Sequence, residues 1–324
     1  MKNYLYILVG LSALLFSRSA QAQQPAQYTM FMFNQYNYNN AYNGLDESLS
    51  ATAVFRKQWV GFTGTPLNVN FNVHMPIEYI NSGIGLGIEY DQIGAYQNMT
   101  IKGSYSYILP VANGKLSIGL GGRLLQKSLD GTQLLTPEGN YEPGVIDHRD
   151  PNVPNGKEQG ISFSVDFGAY YKHERFEVGI AVINLTQPTI DLATDASVTY
   201  TRAYFLTAAY NININADFVL QPNLLIKTDF VKLQPEIAAI LSYKNTFFGG
   251  LSFRGYDATS VDAVAFLAGM QITPNIKLAY SYDLSLGSLQ GFNSGSHEVM
   301  LNYNLNKKIG KEIPAKVIYN PRFL

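Results

Sequence analysis

The 324-residue sequence contains no cysteine. That excludes disulfide frameworks, thiolate metal sites, cysteine nucleophiles and a lipid anchor on an N-terminal cysteine. Charge is sparse too: Asp, Glu, Lys and Arg make up 15% of the chain, against about 25% in an ordinary soluble domain. Neither sign dominates, with 23 basic and 24 acidic side chains, so no basic field exists to draw in nucleic acid. After the first 22 residues no 18-residue window is continuously apolar, and mean hydropathy is −0.04, which excludes a bundle of membrane helices. Aromatic residues, at 13%, are plentiful. Low charge, many aromatics and middling hydropathy together fit a membrane β-barrel, whose strands are apolar on one face only.

Residues 1–22 read as a cleaved export signal. Lys2 supplies the positive end, Leu5 to Phe16 the apolar stretch, and Ala20-Gln21-Ala22 the small-x-small cleavage site. The mature chain then starts near Gln23. Its strongest pattern is apolar–polar alternation, as in Leu67–Met75, Ile161–Phe167 and Ile276–Leu284. Fourteen strands are expected, over 49–56, 67–75, 83–90, 99–109, 115–126, 160–171, 175–183, 198–210, 217–228, 235–243, 246–254, 262–271, 275–284 and 296–305. Their mean length of about ten residues suits a tilted membrane-crossing strand. Odd-numbered connections average roughly 13 residues and even-numbered ones roughly 4, the sorting of outer loops from periplasmic turns. The sequence therefore predicts an all-β, antiparallel outer-membrane barrel over 49–305, with an even strand count and both termini periplasmic.

One face of the strands is apolar, with tyrosines near strand ends (Tyr90, Tyr107, Tyr171, Tyr210, Tyr243, Tyr303) placed for an interfacial girdle. This face meets outer-membrane lipid. The other carries small and polar residues with isolated charges. Arg56, Lys102, Arg123, Lys227, Arg254 and Lys277 are assigned inward, with Glu89, Asp166, Glu177, Glu236, Asp283 and Glu298. Six against six predicts a lumen crossed by ion pairs rather than a pore biased to one sign. Residues 23–48, rich in Asn, Gln and Tyr, are a periplasmic segment or an inward plug. Residues 127–159 form the longest loop. Residues 306–324 are a basic periplasmic tail.

Catalytic and cofactor signals are weak. The four histidines share no metal-ligand spacing, and His148, in Asp147-His148-Arg149-Asp150, reads as a solvated turn. Gly83-Ile84-Gly85-Leu86-Gly87 and Gly119-Leu120-Gly121-Gly122 lie within strands and precede no helix, so they are small inward residues rather than phosphate loops. No G-x-S-x-G is present. The expectation is a protein without catalysis, cofactor or metal.

Several stretches resemble the PorP/SprF family of outer-membrane proteins. Gln35-Tyr36-Asn37 leads to Asn39-Asn40-Ala41-Tyr42-Asn43-Gly44, similar to the family's Asn-Pro-Ala-Tyr-x-Gly with Asn40 in place of proline. Arg56-Lys57-Gln58-Trp59-Val60-Gly61-Phe62-Thr63-Gly64-Thr65-Pro66 is similar to its Arg-x-Gln-Trp-x-Gly-x-x-Gly-x-Pro signature. Asp91-Gln92-Ile93-Gly94, Tyr280-Ser281-Tyr282-Asp283, Gly295–Leu301 and a closing Pro321-Arg322-Phe323 follow in order. The resemblance implies an accessory role in type IX secretion and gliding. That role is assisting export or surface attachment of a large adhesin-like cargo, with a link to a periplasmic peptidoglycan-associated lipoprotein. Arg56, Gln58, Trp59, Gly61, Phe62, Gly64 and Pro66 are then a candidate partner-binding loop. Lys307, Lys308, Pro321, Arg322 and Phe323, with Lys311 and Lys316, are a candidate periplasmic docking tail. The competing expectation is a channel, either a porin or a hydrophobic-substrate transporter of the fatty-acid-transporter type.

Overall fold

The computed structural model describes residues 25–61, 63–192, 197–255, 262–287, 290–307 and 309. The signal segment, Phe62 and the tail residues Lys308, Lys311, Lys316, Pro321, Arg322 and Phe323 lie outside them.

Fourteen antiparallel strands close into a barrel: β1 Ser50–Lys57, β2 Leu67–Ile77, β3 Ser82–Ile93, β4 Tyr96–Val111, β5 Gly114–Asp130, β6 Lys157–Lys172, β7 Phe176–Ile183, β8 Ala203–Tyr210, β9 Phe218–Thr228, β10 Leu233–Tyr243, β11 Phe247–Arg254, β12 Ala263–Thr273, β13 Ile276–Ser285 and β14 Ser296–Asn304. Each strand pairs with its sequence neighbours, and β1 closes on β14 from Ser50↔Asn304 to Lys57↔His297. Closure leaves no unpaired backbone edge toward lipid, the condition for a sheet to span a bilayer. The alternation works as the sequence implies. Phe71, Leu86, Leu120, Phe163, Ile180, Leu251 and Phe266 are exposed on the outer surface, while Asn70, Asn72, Ser164, Asp166, Ser252 and Ser281 are buried inside. Tyr107, Tyr210, Tyr243 and Tyr303 stand exposed near one rim, a girdle at that interface.

At that rim the turns are short, from residues 112–113 to 211–217. The opposite rim carries the long connections, notably 131–156 and 184–202. Three details differ from the sequence expectation. Strands β3 and β4 run on until only Gly94 and Ala95 separate them, so the loop expected at 91–98 is a tight hairpin. The run expected as one strand over 198–210 is broken. Ser197–Thr199 pairs with Thr189–Asp191 in a separate two-stranded hairpin, and only Ala203–Tyr210 joins the barrel. This hairpin folds onto the barrel, with Ile190 and Leu192 packed on Leu125 and Leu129 beside Val198 and Tyr200. Third, His148 is buried rather than solvated. Its Nε2 lies 2.9 Å from the Gly131 carbonyl and its Nδ1 2.8 Å from the Tyr141 hydroxyl. The carbonyl can only accept, so Nε2 carries the proton and Tyr141 donates to Nδ1. His148 thus ties the two ends of the long loop together.

Residues 25–48 form an inward plug. No alternation organises them. Short turns at Phe31–Phe33, Gln35–Tyr38 and Asn40–Tyr42 coil the segment inside the barrel. Tyr28, Met30, Phe31, Met32 and Tyr38 pack against inward Val54, Phe205, Leu225, Ile240 and Met300. The plug crosses the lumen once: Pro25 and Ala26 stand at the long-loop end, and Asp46 stands at the short-turn rim beside His74 and Lys172. The even strand count alone puts both ends of the barrel at one rim. The plug carries the first described residue to the other.

Candidate functional site

The lumen and its plug form the site. All twelve charges assigned inward do point inward, none of them exposed. They divide into separate groups rather than one network. Near the long-loop rim, Arg56 reaches Asp283 at 2.7 Å and Glu298 at 2.9 Å, and Arg254 reaches Glu236 at 3.2 Å and Asp283 at 3.5 Å. The plug completes this cluster. The Thr29 hydroxyl donates to Asp283 at 2.7 Å and accepts from Arg56 at 2.9 Å and Arg254 at 3.2 Å. The backbone N–H groups of Thr29 and Met30 donate to Glu298 at 2.7 and 3.0 Å. Charges this deeply buried are tolerated when paired and hydrogen-bonded, and the plug supplies several of the partners, although the Arg56 Nε–H has none.

Four of the other charges, Lys102, Glu89, Lys227 and Lys277, touch the plug one by one. Lys102 donates to the carbonyls of Tyr36 and Asn37 at 2.8 and 3.2 Å, with its ammonium 4.1 Å from the Tyr36 ring centroid. Glu89 accepts from the Tyr28 hydroxyl at 3.1 Å. Lys227 donates to the Gln27 side chain, whose amide in turn donates to Glu236 at 2.7 Å. Lys277 lies over the Phe33 ring, 5.0 Å from its centroid. Arg123 pairs with Asp166 within the wall. Glu177 belongs to the short-turn rim, where Lys172 lies 3.7 Å from it and 3.2 Å from Asp46. Burial opposes ionisation of Asp46, but Lys172, His74 and the Tyr42 hydroxyl outweigh it and hold the carboxyl well below its usual range.

The lower half of the plug is held by shape. A Cβ at Gly83 would stand 2.2 Å from the Asn43 carbonyl oxygen, and one at Gly121 2.2 Å from the Asn40 amide. A Cβ at Gly119 would stand 2.6 Å from the Ala41 nitrogen, and one at Gly168 2.1 Å from the Asn39 side-chain oxygen. The glycine-rich stretches of β3 and β5 are therefore the groove into which Asn39–Asn43 fits. At mid-height the space left between plug and wall is about 20 Å³, room for a water molecule. Larger cavities lie toward the ends, about 440 and 360 Å³ at the long-loop rim and about 970 Å³ at the short-turn rim.

The expected partner-binding loop is split by the fold. Arg56 is buried in the ion cluster, and Gln58 turns inward to the Gln27 carbonyl and Asn68. Pro66 is buried at the start of β2. Among the described residues Trp59–Gly61, Thr63 and Gly64 form the loop proper, pinned by reciprocal backbone hydrogen bonds of Val60 with Ser294 and Gly295. Trp59 sits half-buried at the mouth of the 440 Å³ cavity, with a left-handed backbone at φ 48°. Of the docking tail, Lys307 is described and is exposed just beyond β14. Sequence reasoning missed Thr29, Gln27, Asp46, Lys172 and the glycine groove. The signals available were the crowding of Asn and Tyr in 25–48 and the inward glycine runs at 83–87 and 119–122.

A closed barrel with an apolar belt, a tyrosine girdle and a polar, plugged lumen defines an outer-membrane β-barrel protein. The chain belongs to the PorP/SprF family, described as type IX secretion system membrane proteins, which matches residues 20–303. No curated protein matches it. Among solved structures it is similar to the Acinetobacter baumannii outer-membrane protein Omp33 (10% identity, 81% of this chain and 100% of that one, TM-score 0.44). It is also similar to the monoaromatic hydrocarbon channel CymD (10%, 88% and 94%, 0.47) and to a triple mutant of the Rhodopseudomonas blastica porin (11%, 79% and 99%, 0.34). At these identities the likeness is one of fold alone.

Proposed function

We propose that this protein is a non-enzymatic scaffold of the type IX system, assisting export or surface attachment of a large adhesin-like cargo. The short-turn rim and the C-terminal end face the periplasm, where a peptidoglycan-associated lipoprotein is the expected partner. The long-loop rim faces outward and meets cargo through the Trp59–Gly64 loop. The observation that carries this reading is the plug, clamped at one end by buried ion pairs and keyed at the other into a glycine groove. A lumen so filled favours an anchor over a conduit, and the family membership supplies the secretion context. Deleting the gene should abolish surface display of one large cargo while permeability to small solutes stays normal. Unimpaired display in the deletion strain would overturn the secretion role.

A further inference from the structure

Lys227 is buried near the long-loop end of β9, lines the 440 Å³ cavity, and among the described residues pairs with no carboxylate directly. Its partner is the neutral side-chain oxygen of Gln27, which relays it to Glu236, itself already paired with Arg254. Exposed Lys232 lines the same cavity, and Trp59 forms a wall. The cavity falls within the roughly 300–1,000 Å³ of small-ligand clefts. An ammonium facing an amide oxygen forms a weaker bond than one facing a carboxylate, so an incoming carboxylate would displace Gln27.

We infer that this cavity is a docking site for a carboxylate-bearing peptide segment, received by Lys227 and Lys232 against Trp59. The inference rests on reading the long-loop rim as the cargo-facing one, and it names the chemistry by which cargo is recognised. Asp91, Asp262 and Asp283 also line the cavity, so one or two carboxylates of such a segment seat on the lysines and the rest of it stays outside the rim. Gln27 belongs to the plug, so occupation of the site also releases one of the plug's upper contacts.

The test uses the full mature protein in lipid nanodiscs with a fluorescently labelled hexaglutamate peptide, read by anisotropy. Saturable binding is expected, with hexaglutamine bound at least about tenfold more weakly, the scale of one charge-assisted hydrogen bond. Lys227→Gln should weaken hexaglutamate by a similar factor, and Lys227→Arg should restore most of it. Lys244→Gln, an equal change of charge on an exposed residue at the opposite rim, should leave binding unchanged. Unshifted mobility of the unheated barrel on gels confirms that each variant is folded. Equal binding of hexaglutamine, no loss in Lys227→Gln, or equal losses in Lys244→Gln would each overturn the site. Those outcomes bear on the site alone, whereas normal cargo display in a deletion strain bears on the secretion role.

Discussion

Arg56 and Glu298 face each other across the seam where the first strand meets the last, their Nη1 and Oε2 atoms 2.9 Å apart. The same carboxylate accepts two backbone N–H groups of the plug. Closure of the barrel and seating of the plug therefore share one buried ion pair. Arg56→Ala would strand Glu298 with only the plug amides and leave Asp283 to Arg254. Removing one partner of a buried pair costs about 3–5 kcal/mol. The variant should lose its heat-modifiable gel shift at a markedly lower temperature than the wild type. Replacing both partners by apolar residues of similar volume should restore part of that loss.

Thr29 tests the clamp without disturbing the wall. Its hydroxyl stands among Arg56, Arg254 and Asp283, and Thr29→Val keeps the shape while removing one donor and one acceptor. The expected cost is about 1–3 kcal/mol, confined to the plug. Protease should cut the plug faster in the variant while the barrel's melting is nearly unchanged.

The glycine groove makes a steric prediction. Gly121→Val places methyl groups where the Asn40 amide now lies, 2.2 Å from even a Cβ. The strand tolerates valine, so the barrel should still fold. The lower plug should be displaced, seen as increased labelling of a cysteine introduced at Asn43 by a small thiol reagent.

Asp46 predicts a pH dependence. Its folded carboxyl titrates below its ordinary value because Lys172 and His74 outweigh the effect of burial. A depressed carboxylate contributes stability that is complete above its unfolded pKa, about 3.9, and is lost as pH falls through the folded value. The difference in plug protection between wild type and Asp46→Asn should therefore not fall as pH drops from neutral to about 5, and should shrink below about pH 4.

The strands were legible because a half-buried strand writes its two faces into the sequence with period two. Facing was equally legible, and Arg56, Asp283 and Glu298 all point inward as their positions in the alternation demand. Which charges meet was not legible. Alternation gives a side chain its face but not its height or its angle around the barrel, so Arg254 was placed inward without its partners Glu236 and Asp283. The plug left no periodic trace, because its backbone groups are satisfied by single short turns, such as Asn34 N–H to the Phe31 carbonyl and Asn39 N–H to the Gln35 carbonyl, and by Glu298 and Lys102 from the wall, rather than by a regular ladder. The break at 200–202 was hidden because Ser197–Thr199 alternates like the strand after it, and only packing of Val198 and Tyr200 on β5 separates the two.

This barrel is filled by its own N-terminal segment. Planar-bilayer recording on the purified mature protein tests it most directly, beside a variant lacking residues 25–46. The intact protein should show no steady conductance, and the plugless variant large, stable conductance steps. Steady large conductance from the intact protein would contradict it.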